Sequence, residues 1–152
     1  MIQKKTAKLI ESAPFAGALI ATRNQKIINC YRNFGLNVGM AFQIFNDISG
    51  FGDSSRIKFA HFQSDLAKNK KTLPLILTFK NLKSKQNKKM SVKEIFSLIQ
   101  NSGAIQLSRK TGEEYLERAI VELDKTGIRN PAQELLKEYI WRINANCIYG
   151  NA

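Results

Sequence analysis

The stretch from Gly35 to Pro74, GLNVGMAFQIFNDISGFGDSSRIKFAHFQSDLAKNKKTLP, decides how this chain folds. At helical spacing, Gln43, Asn46, Asp47 and Gly50 stand at i, i+3, i+4 and i+7, so they share one face. Val38, Ala41, Phe42, Phe45, Ile48 and Phe51 make the apolar face of the same helix. A carboxylate and two amides turned inward cost free energy unless they meet a ligand, a metal or a partner. The spacing alone also fits a helix with one wet side.

The residue string adds to the spacing. Phe42-Gln43-Ile44-x-Asn46-Asp47, followed by Asp65-Leu66-x-x-x-Lys70-x-Thr72-Leu73-Pro74, resembles the second aspartate-rich region of the trans-polyprenyl diphosphate synthases. Their pattern is F-Q-I-x-D-D-x-x-D, then D-L-x-x-G-K-x-T-L-P. The resemblance implies an all-α chain, the C-terminal portion of the isoprenoid synthase (terpenoid synthase) helical bundle, with about six helices in a single partial domain over residues 1–152. It also implies Mg2+ as cofactor, holding the diphosphate of an allylic isoprenyl substrate. On this basis Asn46 and Asp47 are the metal residues and Lys5, Thr6, Gln43 and Lys70 the diphosphate residues. Gln43 and Asp47 are the catalytic pair, with Lys71 and Asp65 as second choices. Lys5-Thr6 corresponds to a Lys-Thr pair that lies beside the substrate in the family. The ammonium of Lys70 is expected within reach of Asp47.

The chain departs from the pattern in three ways. The family's three aspartates fall at Asn46, Asp47 and Gly50, so one carboxylate of the three remains. The family glycine before the lysine is Asn69, which also tolerates a left-handed backbone. No D-D-x-x-D occurs, so the half of the fold that carries the first aspartate-rich motif is absent. A homo-oligomer or a complementary N-terminal half is therefore expected as partner. The Asn-Asp variant and the Lys-Lys-Thr-Leu-Pro turn look more like the branch that prenylates competence pheromone peptides (the ComQ type). A non-catalytic subunit of a heteromeric prenyl synthase, and a basic helical module for nucleic acid or membrane, are the competing readings.

Composition fits one globular domain. The chain has 152 residues, 43% hydrophobic, and a net charge of +12. No apolar run approaches the roughly 20 residues that span a bilayer, and no secretory leader is recognisable, so a cytoplasmic protein is expected. Cys30 and Cys147 stand outside any metal or redox spacing. Between Lys68 and Lys93 there are nine lysines and no acidic residue. Such a run attracts anions, but only Phe79 interleaves it, and no nucleic-acid motif accompanies it. Lys80 to Lys93 reads as a solvated loop.

Outside the motif region the elements follow from periodicity and caps. Residues 3 to 22 predict a first helix with Leu9, Ala13, Ala16, Leu19 and Ile20 inward and a kink at Pro14. Asn24 caps the second helix, from about Gln25 to Phe51. Gly35 and Gly39 lie inside it and allow either close helix contact or room for a ligand tail. Residues 52 to 64 read as a loop with a possible short helix, His61 being incidental to it. A third helix is expected over 72 to 82, with Pro74 in its first turn. Ser91 and Glu94 form a capping box for a helix to Asn101. Helices from Gly103 to Lys125 and from Pro131 to Ile148 complete the chain, the last with Leu135, Leu136, Tyr139 and Ile140 inward. Phe42 and Phe45 are expected to serve as packing rather than as pocket lining.

Overall fold

The computed structural model describes residues 7–51, 56–81 and 90–149. Among them are seven helices and no strand. They fall into two units: residues 1–43 with 111–152, and residues 44–110.

The first unit is built on α1 (Lys8–Ala21) and the greater part of α2 (Gln25–Ser49). Thr22 is extended and ends α1. Asn24 then caps α2, its Oδ1 accepting from the backbone N–H of Lys26 at 3.0 Å and of Ile27 at 3.4 Å. Gly35 and Gly39 are where the two helices touch. A Cβ on Gly35 would lie 2.5 Å from Pro14 Cγ and 2.8 Å from Glu11 Cα. On Gly39 it would lie 2.6 Å from Ala7 Cα. Each glycine costs the helix about 1 kcal/mol against alanine, and here that loss permits backbone-to-backbone approach. Both glycines allow close helix contact, and Gly35 also borders an apolar cavity.

That approach turns α1 differently from the expected stripe. Leu9, Leu19 and Ile20 are exposed, as are Ala13 and Ala16, while Glu11 and Ala18 are buried. Glu11 can be buried because two cations meet it. Arg32 Nε donates to its Oε1 at 2.7 Å, and Lys8 Nζ lies 2.7 Å from its Oε2. Arg32 also lies over the Phe15 ring, 5.5 Å from its centroid.

α6 (Ala104–Asp124) buries Leu116, Ala119 and Leu123. α7 (Pro131–Tyr149) buries Ile140 and also Gln133, which the periodicity did not single out. Gln133 Nε2 donates to the Leu123 carbonyl at 3.0 Å, and its Oε1 accepts from Tyr31 Oη at 3.3 Å, so one amide ties α7 to α6 and α2. Leu135 and Tyr139 are exposed, contrary to expectation.

The second unit holds the end of α2, α3 (Arg56–Ala67), α4 (Leu73–Asn81), α5 (Val92–Asn101) and the start of α6. Its core is phenylalanine. Phe51 and Phe62 meet edge to face at 5.3 Å, Phe96 stacks on Phe51 at 5.3 Å, and Phe59 meets Phe96 at 5.3 Å. Each such ring removes roughly 2–3 kcal/mol worth of apolar surface from water, and well-placed pairs add about 0.5–1.5 kcal/mol. α3 takes the place of the loop with a possible short helix expected over 52 to 64, running on to Ala67, and makes seven helices rather than about six. Phe59, Phe62 and Leu66 share one face at i, i+3 and i+7, and contact with Phe51 and Phe96 orders a segment whose intervening residues are mostly polar. Ser91 and Glu94 make both bonds of the capping box that opens α5. Thr78 on α4 and Ser102 after α5 share a hydrogen bond of 3.0 Å.

Candidate functional site

Asp47 lies in the last turns of α2 and is buried, its side chain 1% exposed. It is reached by Lys70, whose Nζ lies 3.3 Å from Asp47 Oδ1 and 2.9 Å from Asp65 Oδ2. The backbone explains how Lys70 gets there. α3 closes with Asn69 at φ 52°, in the left-handed region. The N–H of Asn69 bonds to the Leu66 carbonyl and the N–H of Lys70 to the Asp65 carbonyl, both at 2.9 Å. These are the two bonds of a Schellman cap. Asn69 thus takes the role of the expected glycine, and Lys70 is tied to Asp65 by main chain and side chain together. Thr72 and Pro74 follow, both buried, at the start of α4.

The electrostatics favour a permanently charged lysine. Burial by itself pushes the Lys70 ammonium down. The hydrogen bond to Asp65 and the charge of Asp47 outweigh it, so the group is held above its ordinary range.

The other expected site residues divide by position. Asn46 is exposed and Gln43 half-buried, the latter one turn before Asp47 on α2. Lys71 is exposed and Asp65 half-buried. Lys5 and Thr6 lie outside the described residues. His61 is exposed on α3, not in a loop. Among the described residues, no group of three or more His, Cys, Asp or Glu side chains converges as a metal cluster. Two carboxylates do converge on one cation, that of Lys70. Magnesium is commonly held by one or two carboxylates together with water and substrate phosphates, so Asp47 and Asp65 fit that kind of site.

The first unit contains a separate feature, a cavity of about 1040 Å3. Its walls are mostly apolar: Leu9, Ala13 and Gly17 from α1, Val38 and Phe42 from α2, and Leu136 and Ile140 from α7. Phe42 therefore lines a pocket, which corrects the expectation of pure packing, whereas Phe45 is fully buried. The size and lining suit a long apolar ligand. The sequence reading anticipated room for a ligand tail near Gly35, which lines this cavity, but not the wall from α7, which lies about 100 residues further along the chain.

The chain resembles known proteins in sequence and fold. A family model described as polyprenyl synthetase matches residues 1–110. The chain is 31% identical to a geranylgeranyl diphosphate synthase of Sulfolobus acidocaldarius, covering 93% of this chain and 48% of that relative. It is 30% identical to heptaprenyl diphosphate synthase component 2 of Bacillus subtilis, covering 81% of this chain and 38% of the relative. Among solved structures, a geranylgeranyl pyrophosphate synthase from Corynebacterium glutamicum, complexed with calcium and isoprenyl diphosphate, superposes with a TM-score of 0.75 at 25% identity. That match covers 96% of this chain and 48% of the other. The chain spans about half the length of the curated relatives it matches, or less.

Proposed function

The chain belongs to the polyprenyl synthetase family, and from that premise we propose that it is the diphosphate-gripping part of a prenyltransferase acting on an allylic isoprenyl diphosphate. The observation that carries this reading is the buried Asp47 beside the Lys70 ammonium, directly behind the Phe42-Gln43-Ile44-x-Asn46-Asp47 string. In this reading Lys70 and Gln43 orient the diphosphate, with Lys5 and Thr6 as further ligands. Asp47, with Asn46 and Asp65, holds magnesium. When bound, magnesium supplies positive charge to the departing diphosphate oxygens. The apolar cavity of the first unit suits the prenyl chain.

The names of the two relatives described above, both diphosphate synthases, favour a prenyl diphosphate product over a prenylated peptide pheromone. Because the chain matches only about half of the relatives, the activity is proposed for an assembly with the remaining half of the fold. That half comes from further polypeptide, a complementary chain or a second copy. The designation "component 2" of the Bacillus subtilis relative supports a heteromeric arrangement. Leu9, Leu19 and Ile20 supply exposed apolar surface for it on α1. No helix among the described residues is long and apolar enough to cross a membrane.

A second reading has its own support. Asn46 and Gly50 replace two of three family aspartates, which favours a subunit that binds diphosphate without turning it over. Calorimetric titration with an isoprenyl diphosphate, with and without magnesium, tests the shared core of both readings. Asp47→Ala is expected to abolish the magnesium-dependent part of binding, and unchanged binding in that variant rules the site out. Product formation on adding the missing half then separates enzyme from binding subunit.

A further inference from the structure

Lys70 meets both Asp47 and Asp65. We propose that Lys70 is the site's own placeholder cation: its ammonium fills the position that a divalent ion would take between the two carboxylates, and the two are mutually exclusive there. This inference rests on the reading of Asp47 as a metal residue.

Three observations support it. The first is geometric. Lys70 Nζ lies 2.9 Å from Asp65 Oδ2 and 3.3 Å from Asp47 Oδ1. A divalent ion drawn to these two carboxylates competes with the ammonium for the same pair of acidic groups. The second is burial. Asp47 is closed off from solvent, with a side chain 1% exposed, so a cation beside it is favoured whether the chain or the solution supplies it. The third is the mobility of the placeholder. The Lys70 side chain is 36% exposed, and its backbone is fixed by the Schellman cap at Asn69. The ammonium can therefore swing away on a four-carbon stem while its anchor stays in place.

The arrangement has a functional consequence. The ammonium offsets one of the two carboxylate charges, and metal entry hands Lys70 over to solvent or to a phosphate oxygen. The lysine that meets the diphosphate becomes available only as the metal arrives. Lys70 is thus a positioning residue with two stations.

Manganese alone is the probe, followed by the resonance of the free ion in solution. Lys70→Met is expected to bind manganese at least about tenfold more tightly than wild type, because the ammonium that competes for the two carboxylates has been removed. Adding Asp47→Asn to Lys70→Met is expected to abolish that gain. A second readout uses the wild-type protein and does not depend on the variant folding. Saturating manganese is expected to speed acylation of the Lys70 amine several-fold, read by peptide mass spectrometry, while the exposed Lys68 and Lys71 keep their rates. Equal or weaker manganese binding by folded Lys70→Met, or an unchanged Lys70 acylation rate, overturns the placeholder while leaving Asp47 as a metal residue. Manganese binding that ignores Asp47→Ala in wild type overturns the underlying site as well, as does failure of manganese to bind either wild type or Lys70→Met.

Discussion

Each unit of this chain buries a carboxylate, and the two are treated in opposite ways. Glu11 is answered by two cations, Arg32 and Lys8, each about half exposed. Around Asp47 the stoichiometry is inverted, because one cation, Lys70, serves two carboxylates. The Glu11 cluster also sits where helix backbones press together at Gly35, whereas Lys70 stands on a capped turn with a partly exposed side chain. A charge enclosed by donors at a helix seam fixes the relative register of two elements. A cation shared between acids on a turn can be exchanged. The contrast separates a structural ion pair from one suited to chemistry, although both read as a buried acid beside a base.

The harshest way to break the first cluster leaves its charges intact. Gly35→Ala places a methyl group 2.8 Å from Glu11 Cα and 2.5 Å from Pro14 Cγ, so α1 must move. A loss of about 3 kcal/mol is expected in urea unfolding, even though alanine favours the helix by about 1 kcal/mol. Next in size is Arg32→Ala, which leaves a buried carboxylate with Lys8 alone. About 2 kcal/mol is expected, against less than about 0.5 kcal/mol for Asp65→Asn, where the group is partly exposed. Equal costs for the two would erase the distinction drawn between the clusters.

The smallest effect is a pH dependence. Burial pushes the Glu11 carboxyl up, but its bonds to Arg32 and Lys8 outweigh that and hold it below its ordinary value of 4.5. A depressed folded value means that the stabilisation is fully present above 4.5. It fades as the pH falls from there through the folded value. Glu11→Gln is therefore expected to flatten the acid side of the stability profile, by no more than the roughly 1.4 kcal/mol per pH unit that one proton allows. A slope identical to wild type would show that Glu11 titrates as it does in the unfolded chain.

What could be read from residues alone was uneven, for physical reasons. The second helix was legible because its apolar positions, its cap at Asn24 and its ending near Gly50 all agree. The approach of Lys70 to Asp47 was legible through the motif, and the left-handed turn through Asn69. The facing of α1 was not. Hydrophobicity alone selects Leu9, Leu19 and Ile20, yet the seam is set by the small residues that let backbones meet, and Glu11 enters the interior only because Arg32 lies 21 residues away. α3 was hidden for a related reason, since its order depends on Phe51 and Phe96, which a local pattern cannot include. Gln133 was invisible because a buried amide is recognised by its partners, Tyr31 and the Leu123 carbonyl, and not by its neighbours in sequence.

The phenylalanine core of residues 44–110 has one more consequence. Tyr31, Tyr115, Tyr139, Tyr149 and the single Trp141 all belong to the other unit, so residues 44–110 contain neither tyrosine nor tryptophan. Intrinsic tryptophan emission therefore reports on the Glu11 unit alone, and the unit that carries Asp47 and Lys70 is dark to it. A tryptophan placed at Phe59 would light the second unit separately, and the order in which the two melt could be read from one sample.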